Sequence, residues 1–214
     1  MPFIIYILTL LGAYLLGSLP TGFLVARARG IDIRTVGSGN IGATNAMRVL
    51  GKPAGIFVLL MDAFKGYAAV WVCTKILPGL NATDSVAHAD PIIAGIGVVL
   101  GHNYTPWLKF KGGKGIATTA GVYLELAPGP FGIAFVVFAL ALLLTRYVSV
   151  ASMTAAIALV VSVWIWPPQN LFLGIVTTAL GALAIYKHKG NIQRLIAGTE
   201  NRFGKKVSNT EVAK

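Results

Sequence analysis

Apolar residues fill most of this chain in runs of span length, separated by short polar stretches. A bilayer's hydrocarbon core, about 30 Å thick, needs about 20 apolar residues per helical crossing. Phe3 to Ala26 meets that length, with a kink predicted at Gly17-Ser18-Leu19-Pro20. Ala54 to Ile76 is a second span, interrupted by Asp62 and Lys65. Pro91 to Trp107 is shorter and carries Gly95, Gly97 and Gly101, and Ile116 to Ala127 is shorter still, ended by Pro128-Gly129-Pro130. Phe131 to Thr145, Val148 to Trp166 and Leu171 to Tyr186 read as three further spans. Between them lie a basic segment from Arg27 to Lys52, a mildly acidic one from Leu77 to Asp90, a basic turn from Lys109 to Gly115, and a polar tail from Lys187. The predicted fold is all-α: a polytopic membrane helix bundle forming one domain over residues 1–214.

Composition agrees. Of 214 residues, 56% are hydrophobic and 12% charged, and mean hydropathy is +0.74. Soluble globular domains do not have that balance. The N-terminus lacks a basic n-region, so its apolar segment is expected to stay as a span. Cys73 is the one cysteine, which excludes a disulfide framework. Asn81-Ala82-Thr83 matches a glycosylation acceptor, but so short a pattern decides nothing.

A net charge of +11 could indicate nucleic acid, yet its distribution points to topology instead. Sixteen of the 18 Lys and Arg residues fall in segments that share one face if there are seven spans. Positive-inside bias then places that face and the C-terminus in the cytoplasm, with the N-terminus outside. Six spans would split the basic segments between faces. Five would remain if Ile116 to Ala127 and a neighbour fail to cross.

Candidate chemistry therefore lies in three basic stretches of that face. The first is Gly37-Ser-Gly-Asn-Ile-Gly-Ala-Thr-Asn45, followed by Arg48. Its glycines allow positive φ and let backbone N–H groups converge as an anion-binding nest, although a plain glycine-rich linker would read the same way. The second runs from Gly101-His102-Asn103-Tyr104 through Trp107 to Phe110-Lys-Gly-Gly-Lys-Gly115. The third runs from His188-Lys-Gly-Asn191 to Arg194 and on through Glu200 to Arg202. Glycine, amides and cations together suit phosphate or carboxylate oxygens. Lys109, Lys111, Lys189, Lys205 and Lys206 read as topology signals and membrane-lipid headgroup contacts. Lys114, with glycine on both sides, reads as a ligand contact.

Charges within a span cost roughly 2.5–3.5 kcal/mol on insertion scales, so they are paired or functional. Asp62 and Lys65, at i and i+3, can pair on one helix face, and both a structural and a catalytic role stay open. Glu125 reads as structural, and His88 receives no role. No nucleotide-binding loop, serine elbow or metal-ligand cluster is present. The fifth residue after His102 is Trp107 and after His188 is Gln193, so no local His–carboxylate dyad exists.

Taken together, the 37–45 stretch, Asp-Ala-Phe-Lys-Gly at 62–66, the 101–115 motif and His-Lys-Gly-Asn-Ile at 188–192 resemble the bacterial acyl-phosphate:glycerol-3-phosphate acyltransferase family. The resemblance covers essentially the whole chain. It implies a seven-span enzyme of the bacterial inner membrane. Such an enzyme moves an acyl group from acyl phosphate to the sn-1 hydroxyl of glycerol 3-phosphate, without metal or other cofactor, nucleic acid or obligate protein partner. By resemblance, Ser38, Arg48, Lys114, His188 and Asn191 would hold glycerol 3-phosphate, with Ser38, Lys114, His188 and Asn191 catalytic. Gly39, Asn40, Gly42, Thr44 and Asn45 would cradle the acyl phosphate, and His102 and Asn103 join the substrate-binding set. A bound phosphate could take the hydroxyl proton; His188 or His102 is the protein alternative. The rival class is a transporter for phosphate esters, which glycine-broken spans and basic pockets would also serve. No internal repeat or set of acidic coupling residues supports it. A lipid-binding scaffold comes third.

Overall fold

The computed structural model describes residues 2–76, 89–168 and 170–204. Ser85, Asp84, His88, the Asn81 pattern, Lys205 and Lys206 lie outside these residues. The elements in chain order are α1 (Pro2–Gly17), α2 (Thr21–Arg27), α3 (Ala43–Leu50), α4 (Lys52–Trp71) with a π-helical end (Val72–Ile76), and α5 (Ala89–Asn103). A short 3-10 turn (Pro106–Leu108) precedes α6 (Ile116–Leu126), α7 (Pro128–Thr145), α8 (Val148–Ile165), α9 (Leu171–Lys187) and α10 (Lys189–Ile196). No strand occurs among the described residues. Contacts group the described residues into two compact units, one up to Val122 and one from Tyr123 to Phe203.

Four stretches are long and apolar enough to cross a membrane: Phe3–Arg27, Lys52–Lys75, Pro128–Thr145 and Val148–Ile165. The pair α9 and α10, bent by 50°, makes a fifth if it counts as one span. The protein is thus a multi-pass helical membrane protein. Length and composition account for four or five of the seven crossings expected from charge, and the others would rest on α5 and α6, at 15 and 11 residues. The outward faces of the spans are apolar, as lipid contact requires: Phe3, Leu143 and Leu144 are at least 73% exposed.

The predicted kink is a full break between α1 and α2. Pro20 offers no N–H, and carbonyls freed at membrane depth must find other donors. Thr105 Oγ1 donates to the Ser18 carbonyl (2.6 Å), and Lys65 Nζ donates to that of Leu19 (3.0 Å). Trp107 Nε1 donates to Ser18 Oγ at 2.9 Å. Close packing of α1 on α5 needs Gly17 and Gly101, because a Cβ on either would overlap the facing carbonyl of Val98 or Tyr14.

Three boundaries differ from expectation. Pro128-Gly129-Pro130 opens α7 instead of separating two spans, since proline is pre-organised for a helix's first turn. The basic segment 27–52 contains α3, so Ala43, Thr44 and Asn45 are helical and only residues 37–42 form the glycine loop. The tail after Lys187 contains α10. Both extra helices are short and polar-faced, and tertiary contacts hold what propensity alone would not.

Candidate active site

The first glycine stretch is shaped from inside. Asn45, 2% exposed, donates from Nδ2 to the carbonyls of Ile33 (3.3 Å) and Val36 (3.1 Å). Its Oδ1 accepts from the Ser38 N–H at 2.9 Å. Gly37 and Gly39 take φ of +64° and +68°, which lets the chain wrap around that amide. Asn40 Oδ1 then accepts from the Gly42 N–H at 2.9 Å and delivers the chain to the start of α3. The result is a rim of backbone at the positive end of a helix, where first-turn N–H groups lack intrahelical partners. Ser38 is exposed on that rim, and Gly39, Asn40, Gly42 and Thr44 are half-buried. Arg48 stands in the last turn of α3. Asn45 shares the stretch but faces the other way: its amide holds the rim's own backbone.

The second stretch hangs from the C-terminal end of α5. The N–H groups of Gly112 and Gly113 donate to the carbonyls of Asn103 (3.2 Å) and His102 (3.0 Å). Gly115, at φ +81°, passes so close to Asn103 that a Cβ would lie 2.7 Å from its Oδ1. His102 and Asn103 are buried, at 6% and 1% exposure, so they back the turn while Lys114 is half-buried within it. Lys109 and Lys111 are exposed. That difference supports separating Lys114 from the topology lysines.

The absence of a local His–carboxylate dyad does not carry over to the fold. Asp62 Oδ1 lies 3.6 Å from His102 Nδ1, with both side chains buried. The pairing is made by packing α4 on α5 across 40 residues, which no local motif could reveal. Lys65 Nζ sits 2.8 Å from the same Asp62 oxygen, so the predicted i,i+3 pair forms as part of a larger cluster.

In the second unit, His188 joins α9 to α10. Its Nδ1 is 2.8 Å from the Ala184 carbonyl, which can only accept, so Nδ1 carries the proton and Nε2 is the ring's basic nitrogen. Asn191 Nδ2 donates to Glu200 Oε1 (2.6 Å), as does Ser149 Oγ (3.0 Å), while Arg194 Nε donates to Oε2 (2.7 Å). Burial alone would raise the Glu200 pKa, but the hydrogen bonds from Asn191, Arg194 and Ser149 outweigh it and lower it. Sequence reasoning gave Glu200 no role. Its one signal was a lone acid in a basic segment.

Among the described residues no group of three or more His, Cys, Asp or Glu could hold a metal ion. The two glycine turns stand beside cations, Arg48 and Lys114, and that combination suits phosphate or carboxylate oxygens.

Comparison with known proteins makes that chemistry specific. A profile of the glycerol-3-phosphate acyltransferase family matches residues 7–198. The glycerol-3-phosphate acyltransferase of Geobacter metallireducens is 48% identical over 206 residues, covering 94% of this chain and 98% of that one. That of Geotalea daltonii is 43% identical over 198 residues, covering 92% and 97%. The fold matches the crystal structure of PlsY (YgiH), an integral membrane glycerol 3-phosphate acyltransferase, in its glycerol 3-phosphate form. The TM-score is 0.84 at 38% identity, over 93% of this chain and 96% of that one. The lysophosphatidic acid form of PlsY matches with a TM-score of 0.81 at 36% identity, over 97% and 98%. The chain belongs to the glycerol-3-phosphate acyltransferase family.

Proposed function

We propose that this chain transfers a fatty acyl group from acyl phosphate to the sn-1 hydroxyl of glycerol 3-phosphate, giving lysophosphatidic acid and inorganic phosphate. The hydroxyl oxygen attacks the acyl carbon, the tetrahedral intermediate expels phosphate, and the hydroxyl proton leaves on a phosphate oxygen. The observation that carries this reading is the pair of phosphate-suited backbone turns in one membrane chain, the Gly37–Gly42 rim and the turn holding Lys114. An oxyanion donor aimed at such an intermediate is worth about 2.7–4 kcal/mol. The Ser38, Gly39 and Gly42 N–H groups are engaged within the loop, so that role falls to the Arg48 and Lys114 cations. Because phosphate is already a good leaving group, no strong general acid is needed.

As the family resemblance implies, glycerol 3-phosphate is assigned to Ser38, Arg48, Lys114, His188 and Asn191. The acyl phosphate is assigned to Gly39, Asn40, Gly42 and Thr44, with Asn45 holding their backbone. The chain crosses the bacterial inner membrane seven times, with its N-terminus outside, and works without metal or protein partner.

Detergent-purified protein should release phosphate from palmitoyl phosphate only when glycerol 3-phosphate is present. Acceptor-independent release, or none, would overturn the reading. Turnover should persist in EDTA; loss restored by a divalent ion would defeat the metal-free mechanism. A cysteine at Ser208 should label from the cytoplasm and one at Ser85 from outside, and labelling from one side would exclude an odd number of spans.

A further inference from the structure

The proposed reaction gives Asp62 and Lys65 no role, and His102, expected from the sequence in the substrate-binding set, is buried with them: the three are 2%, 4% and 6% exposed, the most buried charged cluster described. Asp62 Oδ1 gathers Lys65 Nζ at 2.8 Å, Thr21 Oγ1 at 3.3 Å and His102 Nδ1 at 3.6 Å. Lys65 also donates to the Leu19 carbonyl at the α1–α2 break, 3.0 Å away. One carboxylate oxygen thus ties α2, α4 and α5 together.

The far side of the same imidazole meets the Lys114 turn. A Cβ on Gly113 would overlap His102 Nε2 and come within 2.8 Å of Cε1 and 3.0 Å of Cδ2. The Gly113 N–H donates to the His102 backbone carbonyl at 3.0 Å. The ring is therefore wedged between the Asp62 carboxylate and the backbone next to Lys114. A proton carrier in acyl transfer would have to reach the substrate hydroxyl; this ring, 6% exposed, instead reaches protein on both edges.

We propose that Asp62, Lys65 and His102 form a positioning device for the turn that carries Lys114, with His102 a positioning residue and not the carrier of the reaction's proton. Asp62 fixes the ring's orientation through its attraction for the Nδ1 edge. Lys65 balances the buried carboxylate and anchors it to the helix break. The ring, pressed on Gly113, sets where the Lys114 ammonium stands. Displacement of a binding group by about 1 Å can cost on the order of 10²-fold in rate, so such a support is functionally visible. This inference rests on Lys114 being a substrate contact.

The test combines kinetics with amide hydrogen exchange on detergent-purified protein. His102→Gln and Asp62→Asn should raise the glycerol 3-phosphate KM roughly tenfold while kcat changes less than about threefold. Gly113→Ala should do the same in the native background. In a His102→Ala background it should add little, because the ring it would strike is gone. Exchange at Gly112 to Gly115 should quicken in His102→Gln and Asp62→Asn, and not in Thr178→Val, which lies in the other unit. If Asp62→Asn does not fold because Lys65 is left as a buried lone charge, His102→Gln and Gly113→Ala decide alone. A collapse of kcat in His102→Gln with KM and turn exchange unchanged would show the ring to be the proton carrier and overturn the proposal. So would additive effects of Gly113→Ala and His102→Ala. Exchange needs no substrate, so if the wild type transfers no acyl group, the proposed reaction fails while the turn measurement still decides the positioning role.

Discussion

The Gly37–Gly42 loop and the Gly112–Gly115 turn offer similar backbone, yet they are held by opposite means. The first is organised by one side chain from its own segment, Asn45, whose three backbone partners lie seven, nine and twelve residues upstream. The second is hung on the carbonyl end of α5 and backed by a histidine whose orientation depends on charges from α4. A locally held loop can form wherever its segment is folded. A remotely held turn reports on the packing of several helices, so it should be the more sensitive of the two to distant substitutions.

The largest effect expected tests whether the second turn is a site at all. Lys114→Ala should lower acyl transfer by at least about 10²-fold while the protein still inserts and purifies normally. Lys114→Arg should keep partial activity, with the loss mainly in the glycerol 3-phosphate KM, because a longer planar cation cannot reproduce an ammonium's reach. Lys111→Ala, exposed in the same turn, should stay within about threefold of wild type. Wild-type rates in both Lys114 variants would reduce the turn to an orientation signal.

The first loop should break from within. Asn45→Ala strips the amide from the Ile33 carbonyl and the Ser38 N–H and takes one of two donors from the Val36 carbonyl, which keeps the Gly39 N–H; each buried orphan costs about 1–3 kcal/mol. Acyl transfer should fall by roughly 10²-fold, with faster exchange confined to residues 33–40. Asn45→Asp should not rescue it, because an oxygen would then face the Ile33 and Val36 carbonyls. Exchange quickening equally at 112–115 would mean the two turns are one cooperative element and dissolve the contrast.

The same distinction explains what could be read from the sequence. Long apolar runs declare spans, and Gly17-Ser18-Leu19-Pro20 declares a kink though not a full break, because both depend on residues adjacent in the chain. Lys114 stood out from Lys109 and Lys111 by its flanking glycines alone. The 40-residue gap from Asp62 to His102 hid their pairing, and α3 and α10 were hidden because glycine and asparagine at their starts look like loop. Glu200 was hidden for a related reason: its three donors come from Ser149, Asn191 and Arg194, and only packing makes them converge.

Glu200 supplies a third kind of support, a side-chain hub, and pH should expose it. A carboxylate whose folded pKa is lowered adds stability that is fully present above its unfolded value and is lost as pH falls through the folded one. The unfolding midpoint of Glu200→Gln should therefore trail wild type most near pH 7. The gap should narrow as pH drops through the carboxylate range, below about 4. A gap that is constant with pH would mean shape, not charge, is what Asn191 and Arg194 require.

The smallest effect is expected at the entrance to the first loop. Asp32 accepts three contacts from the Arg34 guanidinium, at 2.6, 2.9 and 3.2 Å, and the Arg34 N–H at 3.0 Å. These bonds hold its carboxyl down at about 2. Taken alone, so low a value reads as a strong local anchor for the loop. The pair is solvent-exposed, however, and water competes for both partners, so exposed ion pairs of this kind stabilise little. Asn45, not Asp32, then sets the loop's shape. Asp32→Asn should leave the unfolding midpoint, the exchange of residues 33–40 and acyl transfer all close to wild type. A loss comparable to that of Asn45→Ala would show that the loop is fixed at its entrance, and would move its organising centre from the buried amide to the exposed ion pair.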